Sequence, residues 1–221
     1  MTRGKFISFE GGEGGGKTTQ LNFLYDTLKS IDIDVIQTRE PGGSKGAEEI
    51  RNLLVEGPPE RWDAVTETLL HCAARRDHIK TTILPALEKG LWVLTDRFSD
   101  STMAYQGYGH GVNKKALQNL QQFVAGTMQP DMTIILDLPV KVGLARAEKR
   151  ASQQIKNNNG QEDRYERMGA DFHERLRKGF LNIAKNNRKR CIIIDTTRSV
   201  EEIQSTIQRL VFKKFGLNED G

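Results

Sequence analysis

"GGEGGGKT", Gly11 to Thr18, stands directly after an apolar run at 6–9 and directly before a helical pattern over 18–30. It fits the phosphate-binding pattern G-x-x-x-x-G-K-[ST] in the context that pattern requires, strand before and helix after. The glycines let the backbone curl so that its N–H groups face a phosphate chain. Lys17 then reaches the β- and γ-phosphates, and Thr18 offers its hydroxyl to Mg²⁺. The N-terminus of the following helix adds a positive dipole end at the same point. A plain glycine-rich turn is the bland alternative, and the strand and helix flanks argue against it. The pattern specifies phosphate, not a reaction. Guanine is disfavoured, because no Asn-Lys-x-Asp occurs. The nearest stretch, Asn113-Lys114-Lys115-Ala116, lacks the carboxylate.

Outward from this loop, short apolar runs recur at 6–9, 34–38, 92–95, 133–138 and 191–195. They are rich in Ile, Val and Leu and nearly continuous, as strands buried on both faces are. Between them lie helical patterns at 18–30, 46–55, 64–89, 114–125, 140–151, 167–186 and 200–215. That order predicts an α/β fold: a three-layer P-loop NTPase fold, with a five-stranded parallel sheet, helices on both faces and a short lid. The 221 residues suit one domain, 1–221, with the lid at about 146–166 inserted in it. The polar stretch "SQQIKNNNGQED", Ser152 to Asp163, cannot join a core and reads as a loop between two helices. A neutral insertion and a lid both fit it.

Composition bounds the partners. The chain is 37% hydrophobic and 28% charged, values of an ordinary globular protein, and no apolar run is long enough to span a membrane. No secretory segment is read ahead of the first strand, so the cytoplasm is expected. Cys72 and Cys191 stand far apart in apolar surroundings, and the four histidines lack ligand spacing, so neither a disulfide nor zinc is expected. A net charge of +4 suits anionic partners. The densest basic cluster, Lys185 to Arg190, reads as solvated cations at a helix C-terminus. Without interleaved aromatics, nucleic acid is not expected.

The second strand ends in "TREPGGS", Thr38 to Ser44, and the third in Thr95-Asp96-Arg97. Strand ends of an open parallel sheet border its ligand crevice, so Arg97 is placed to clamp a second phosphate in a bidentate fork. Asp96 is placed to hold magnesium-bound water or to orient Arg97. Next, "FSDSTMAYQGYGHG", Phe98 to Gly111, gathers hydroxyls, Gln106 and two tyrosines among glycines. It reads equally as a pocket for an aromatic ring and as a helix start near Ser101 or Thr102 followed by a glycine-rich loop.

"FEGGEGGGKTTQ", "TREPGG", "LPALEKGLWVLTDRFSDSTMAYQG" and "MTIILDLPVKVGLAR" occur in the order and spacing of thymidylate kinases. The chain resembles the bacterial type of that family, within the P-loop nucleoside monophosphate kinases, along nearly its whole length. The resemblance is weakest over 152–163. It implies transfer of the γ-phosphoryl group of ATP to dTMP with Mg²⁺ as cofactor, in dTTP biosynthesis, by a homodimer. It implies that ATP lies on Gly11, Gly12, Glu13, Gly14, Gly15, Gly16, Lys17, Thr18 and Thr19, with Arg146 near adenine. For dTMP it implies Arg97 at the phosphate, Arg75 at the thymine carbonyl, Thr102 and Gln106 at the base edge, and Arg51 lining the pocket. Tyr105 is implied under the sugar, where it would collide with a ribose 2′-hydroxyl, and Glu13 at the 3′-hydroxyl. His71 stands where the family usually has a phenylalanine stacked on thymine, offering less apolar area. Thr18 and Asp96 are implied at the metal. In the bacterial type no arginine follows the acidic residue of the phosphate loop, as with Gly14, Gly15 and Gly16 here, and the lid supplies the catalytic arginine. Arg150 is the candidate beside Lys17 and Arg97, with Lys156 and Arg164 open.

Two other readings stand beside this one. The first is the same architecture acting on another acceptor, as in a deoxynucleoside kinase or a different monophosphate kinase. The second is a basic nucleic-acid-binding module switched by nucleotide. An inactive scaffold is a third, opposed by the intact Lys17–Thr18 pair.

Overall fold

Each of the five apolar runs is a strand: β1 Phe6–Glu10, β2 Val35–Arg39, β3 Trp92–Asp96, β4 Met132–Asp137 and β5 Cys191–Asp195. They form a parallel sheet in the order β2-β3-β1-β4-β5. This is the α/β architecture expected. The computed structural model describes residues 3–156 and 164–218. The expected loop's Asn-rich part, 157–163 with Glu162 and Asp163, lies outside the described residues, as does the Lys156 side chain.

The helices in chain order are α1 Lys17–Ser30, α2 Lys45–Val55, α3 Ala64–His78, α4 Leu84–Glu88, α5 Ser99–Thr102, α6 Lys114–Ala125, α7 Val140–Lys156, α8 Ala170–Asn186 and α9 Val200–Phe215. A π-helical stretch, Ile79–Ile83, joins α3 to α4, so the single helix expected over 64–89 is one continuous rod with a widened middle. A second π-helical stretch, Met103–Gly109, extends α5 where a glycine-rich loop was the alternative. Two ends also shift. α7 carries on past 151 to Lys156, and α8 starts at Ala170, the backbone at 164–167 being turns.

Ile7, Phe9, Leu94, Ile134 and Leu136 are fully buried between the helical layers, and α1 and α9 cover one face with Leu28 and Val211. On the other face Tyr105, Phe172, Leu176 and Phe180 pack over β4, while Phe6 and Phe98 meet edge to face with centroids 4.9 Å apart. β1 lies between β3 and β4, so the loop leaving β1 rises over the crevice where the chain's crossovers diverge. Cys72 and Cys191 are both buried, and burial pushes the Cys191 thiol up to about 11. Arg190 departs from the solvated cluster expected at 185–190. Its Nη1 and Nη2 donate to the two oxygens of Asp100 at 2.6 and 2.8 Å, beneath the strand ends.

Candidate active site

The loop after β1 takes its shape from glycine at two points. Gly16, with φ 82°, is the N-cap of α1 and turns the chain into the helix. Gly14, with φ 67°, passes so close to α7 that a Cβ would lie 2.1 Å from the Gly143 carbonyl oxygen. Lys17 folds back over the loop and donates from Nζ to the Gly12 carbonyl at 2.8 Å. Burial, with Arg97 next, lowers its ammonium to about 8, although Glu13 and Asp96 pull the other way. Thr18 Oγ1 donates to Asp96 Oδ2 at 2.6 Å, bringing a hydroxyl and a carboxylate together at the base of α1.

Arg97 holds a left-handed φ of 72°, a conformation that costs a non-glycine residue about 1 kcal/mol or more. The surroundings fix it there. Its N–H donates to the Phe9 carbonyl at 2.9 Å, and the next amide, Phe98, donates to Glu10 Oε1 at 2.8 Å. The guanidinium donates from Nη2 to Glu13 Oε1 at 2.8 Å and from Nη1 to the Gly11 carbonyl at 3.0 Å. Tyr105 donates its hydroxyl to the same Glu13 oxygen at 2.5 Å, with its ring 4.9 Å from the guanidinium carbon. Burial opposes the Glu13 charge, but Arg97, Lys17 and the Tyr105 hydroxyl outweigh it and hold the carboxyl at about 2. At Glu10 the balance goes the other way: burial and Asp100 push it up to about 8, outweighing the Ser101 hydroxyl, Arg97 and the Phe98 amide.

On α3, Arg75 is 2% exposed and fully engaged with its surroundings. Nε donates to Glu40 Oε2 at 2.7 Å, Nη1 to Thr102 Oγ1 at 3.0 Å and Nη2 to the Phe98 carbonyl at 3.2 Å. Glu40 also meets His78 Nδ1 at 3.1 Å, so the turn after β2 braces the arginine. His71, one turn earlier, lies 2.8 Å from the Tyr165 hydroxyl through Nε2. Burial, then Arg75 and Arg97, drives its imidazole down to about 3, so it is neutral.

A cavity of about 850 Å³ joins these groups. The phosphate loop from Glu13 to Gly16 lines it, with Lys17, Thr18 and Thr19. So do Arg51, His71, Arg75, Asp96 and Arg97, and beyond them Thr102, Tyr105, Gln106 and Arg150. Gly11 and Gly12 lie behind the loop, lining a separate small void against β4 and α8. Arg146 is also apart from the cavity, donating from Nη1 to the Thr196 carbonyl after β5 at 3.1 Å. Arg150 pairs with Glu166, which shares the cavity wall. Arg164 is 1% exposed under α2 and α3, bonded to Glu67 and the Leu54 carbonyl, and does not line the cavity.

Sequence reading passed over Glu10, Glu67, Tyr165 and Glu166. No spacing signalled them, since each meets its partner only through tertiary packing. For a metal, the described residues offer no group of three or more His, Cys, Asp or Glu side chains. Thr18 and Asp96 supply two hard oxygen donors, which suits a cation that keeps water and phosphate oxygens as its remaining ligands.

A family model described as thymidylate kinase matches residues 9–207. The thymidylate kinase of Caulobacter vibrioides is 50% identical over 98% of this chain and 100% of its own. That of Magnetococcus marinus is 44% identical over 96% of this chain and 98% of its own. Among solved structures, a thymidylate kinase from Ehrlichia chaffeensis superposes with a TM-score of 0.73 at 32% identity, covering 95% of this chain and 99% of that one.

Proposed function

The chain belongs to the thymidylate kinase family, and on that premise we propose how its cavity divides between two substrates. The reaction is transfer of the γ-phosphoryl group of ATP to dTMP, giving dTDP and ADP. The observation that carries the division is Arg97. Its guanidinium touches the phosphate loop through Gly11 and Glu13 and the acceptor wall through Ser101 at 3.3 Å. It therefore stands where two phosphate tails would meet.

Phosphoryl transfer asks the protein for alignment and charge neutralisation. The amides of Gly11 to Gly16 and the Lys17 ammonium hold the β- and γ-phosphates. Arg97 exchanges Glu13 for the dTMP phosphate, which frees the Glu13 carboxylate for the sugar 3′-hydroxyl. Tyr105 closes the space beside the sugar against a 2′-hydroxyl. Arg75, Thr102 and Gln106 face the base, His71 stacks on it, and Arg51 closes the wall. Arg150 leaves Glu166 for the transferring group when the segment at 146–166 closes and expels water. Arg146 lies toward adenine. The Thr18 hydroxyl and, through water, Asp96 would hold Mg²⁺, which would supply charge neutralisation at the phosphates. The enzyme works as one domain over 1–221, in the cytoplasm. Among the described residues no helix is long and apolar enough to cross a membrane.

A homodimer is supported by the outer face of α3, where Val65 and Leu69 are exposed in step, beside the exposed Phe123 of α6. Chromatographic assay of dTDP from ATP and dTMP, alongside dUMP, UMP, AMP and thymidine, tests the reading. dTMP is expected to be the preferred acceptor and Lys17→Ala to abolish turnover. ADP release that ignores dTMP would overturn it.

A further inference from the structure

Glu67 is 1% exposed, on the inner side of α3, and serves two partners from different parts of the chain. Oε1 accepts from Gln106 Nε2 at 2.7 Å, and Oε2 accepts from Arg164 Nη1. The His110 ring approaches from a third side, with Nε2 3.6 Å from Oε1. A carboxylate paired with a guanidinium can only accept hydrogen bonds, whereas an amide has one accepting and one donating end. Gln106 must therefore turn its NH₂ toward Glu67, which leaves its carbonyl oxygen for the cavity that Gln106 lines. The same logic orients Thr102. Its Oγ1 already accepts from Arg75 Nη1, so its hydroxyl hydrogen remains to be donated.

The wall beside the base thus presents a donor at Thr102 and an acceptor at Gln106. A 4-keto pyrimidine carries the complementary sequence, an acceptor at O4 next to a donor at N3. A 4-amino pyrimidine carries the reverse. We infer that Glu67 is a positioning residue that sets the polarity of Gln106, so that the acceptor site takes keto pyrimidine nucleotides over amino ones. Through Arg164 the same carboxylate holds the chain returning from α7, whose next residue, Tyr165, reaches His71. Base reading and the return of that segment are joined at one buried group. The inference rests on the proposed reading in which Gln106 faces the base.

Glu67→Gln tests it. The substitution leaves one accepting oxygen at position 67, which the Arg164 guanidinium claims. An amide nitrogen then faces Gln106 and forces it to turn its NH₂ to the cavity. The expected result is a kcat/KM for dTMP lower by about 10- to 100-fold, carried by KM, with a dTMP:dCMP preference that falls by a similar factor. KM for ATP should stay within about twofold, as the change lies outside the phosphate loop. Glu67→Asp, still only an acceptor, should keep the preference. If E67Q raises both KM values together with the preference intact, or if E67D loses the preference as E67Q does, the residue is merely structural and the inference falls. Competition binding on the wild-type enzyme needs no variant to fold: dCMP should bind at least about 10-fold more weakly than dTMP, and equal binding overturns the polarity. Gln106→Met separates the two layers. An unchanged dTMP KM there removes the base-facing reading itself, whereas damage in Q106M with none in E67Q removes only the role of Glu67.

Discussion

The Lys17 ammonium is lowered to about 8, chiefly by burial and then by Arg97. Phosphate charge arriving beside it reverses that balance, so at pH 8.5, where about a quarter of Lys17 is already protonated, ATP binding should take up about three-quarters of a proton. Isothermal titration in buffers of different ionisation enthalpy measures this directly. The uptake should shrink by pH 6.5, where Lys17 is already charged, and a heat independent of buffer at pH 8.5 would sink the argument. His71 shows the opposite coupling. Burial and the arginines hold it at about 3, well below the ordinary histidine value near 6.5. Between those values the unfolded chain binds a proton that the folded chain refuses. Stability is therefore intact above about 6.5 and is lost as pH falls toward 3. His71→Phe removes this term, so its melting temperature should fall less steeply from pH 7 to pH 4 than that of the wild type. Parallel slopes would show that His71 is not the group responsible. Phenylalanine also offers more apolar area to thymine, and the dTMP KM of the variant should drop.

The elements show which features a sequence carries and which it does not. α1 was legible because the glycine pattern and Lys17–Thr18 mark its start, and α9 from its helical pattern over 200–215, to which the structure adds a reciprocal capping box of Ser199 and Glu202 at the N-terminus. The helical stretch at 99–109 was not, because Gly107 and Gly109 favour a loop by local preference. Packing overrides that preference. A Cβ on Gly109 would lie 2.5 Å from the Phe172 ring, and one on Gly179 of α8 would lie 2.8 Å from Tyr108, so the glycines let this segment and α8 close on each other. Arg150 near the end of α7 was named through resemblance, and its ion pair with Glu166 could not have been read from spacing. Because Arg150 lines the cavity and Arg164 is pinned beneath α2, the lid arginine should be Arg150. Arg150→Ala is expected to lower kcat by about 10³-fold, the lower end of what such an arginine supplies, with modest change in either KM. A near-normal kcat in steady-state assay would return the role to another residue of the segment.

For the whole molecule, near-continuous apolar runs announced a parallel sheet, and the position of each strand end followed from the fold rule that ligands sit at carboxyl edges. The exposed apolar face of α3 has no comparable signature, because exposure is a property of the folded surface. α3 illustrates this. One side carries Glu67, Arg75 and His78 inward, and the other carries Val65 and Leu69 outward, within a single helix that reads as weakly amphipathic. Arg76 ties this helix to α6 by donating from Nη1 to the Val124 carbonyl at 3.1 Å, next to Phe123, which is 87% exposed. An apolar strip of this kind costs solubility unless it is covered, and a second copy of the same strip covers both by two-fold symmetry. Sedimentation equilibrium should therefore give twice the chain mass for the wild type. The double variant Leu69→Asp with Phe123→Asp should sediment as a monomer, since each substitution places a charge in the buried centre of the contact. Because the helix under that contact also carries Arg75 and Glu67, the monomer should show a raised KM for dTMP while KM for ATP, set by the phosphate loop on the other side of β1, changes little. A wild-type chain that sediments as a monomer at assay concentrations, or a monomeric variant with an unaltered dTMP KM, would separate the outer face of α3 from the chemistry on its inner face.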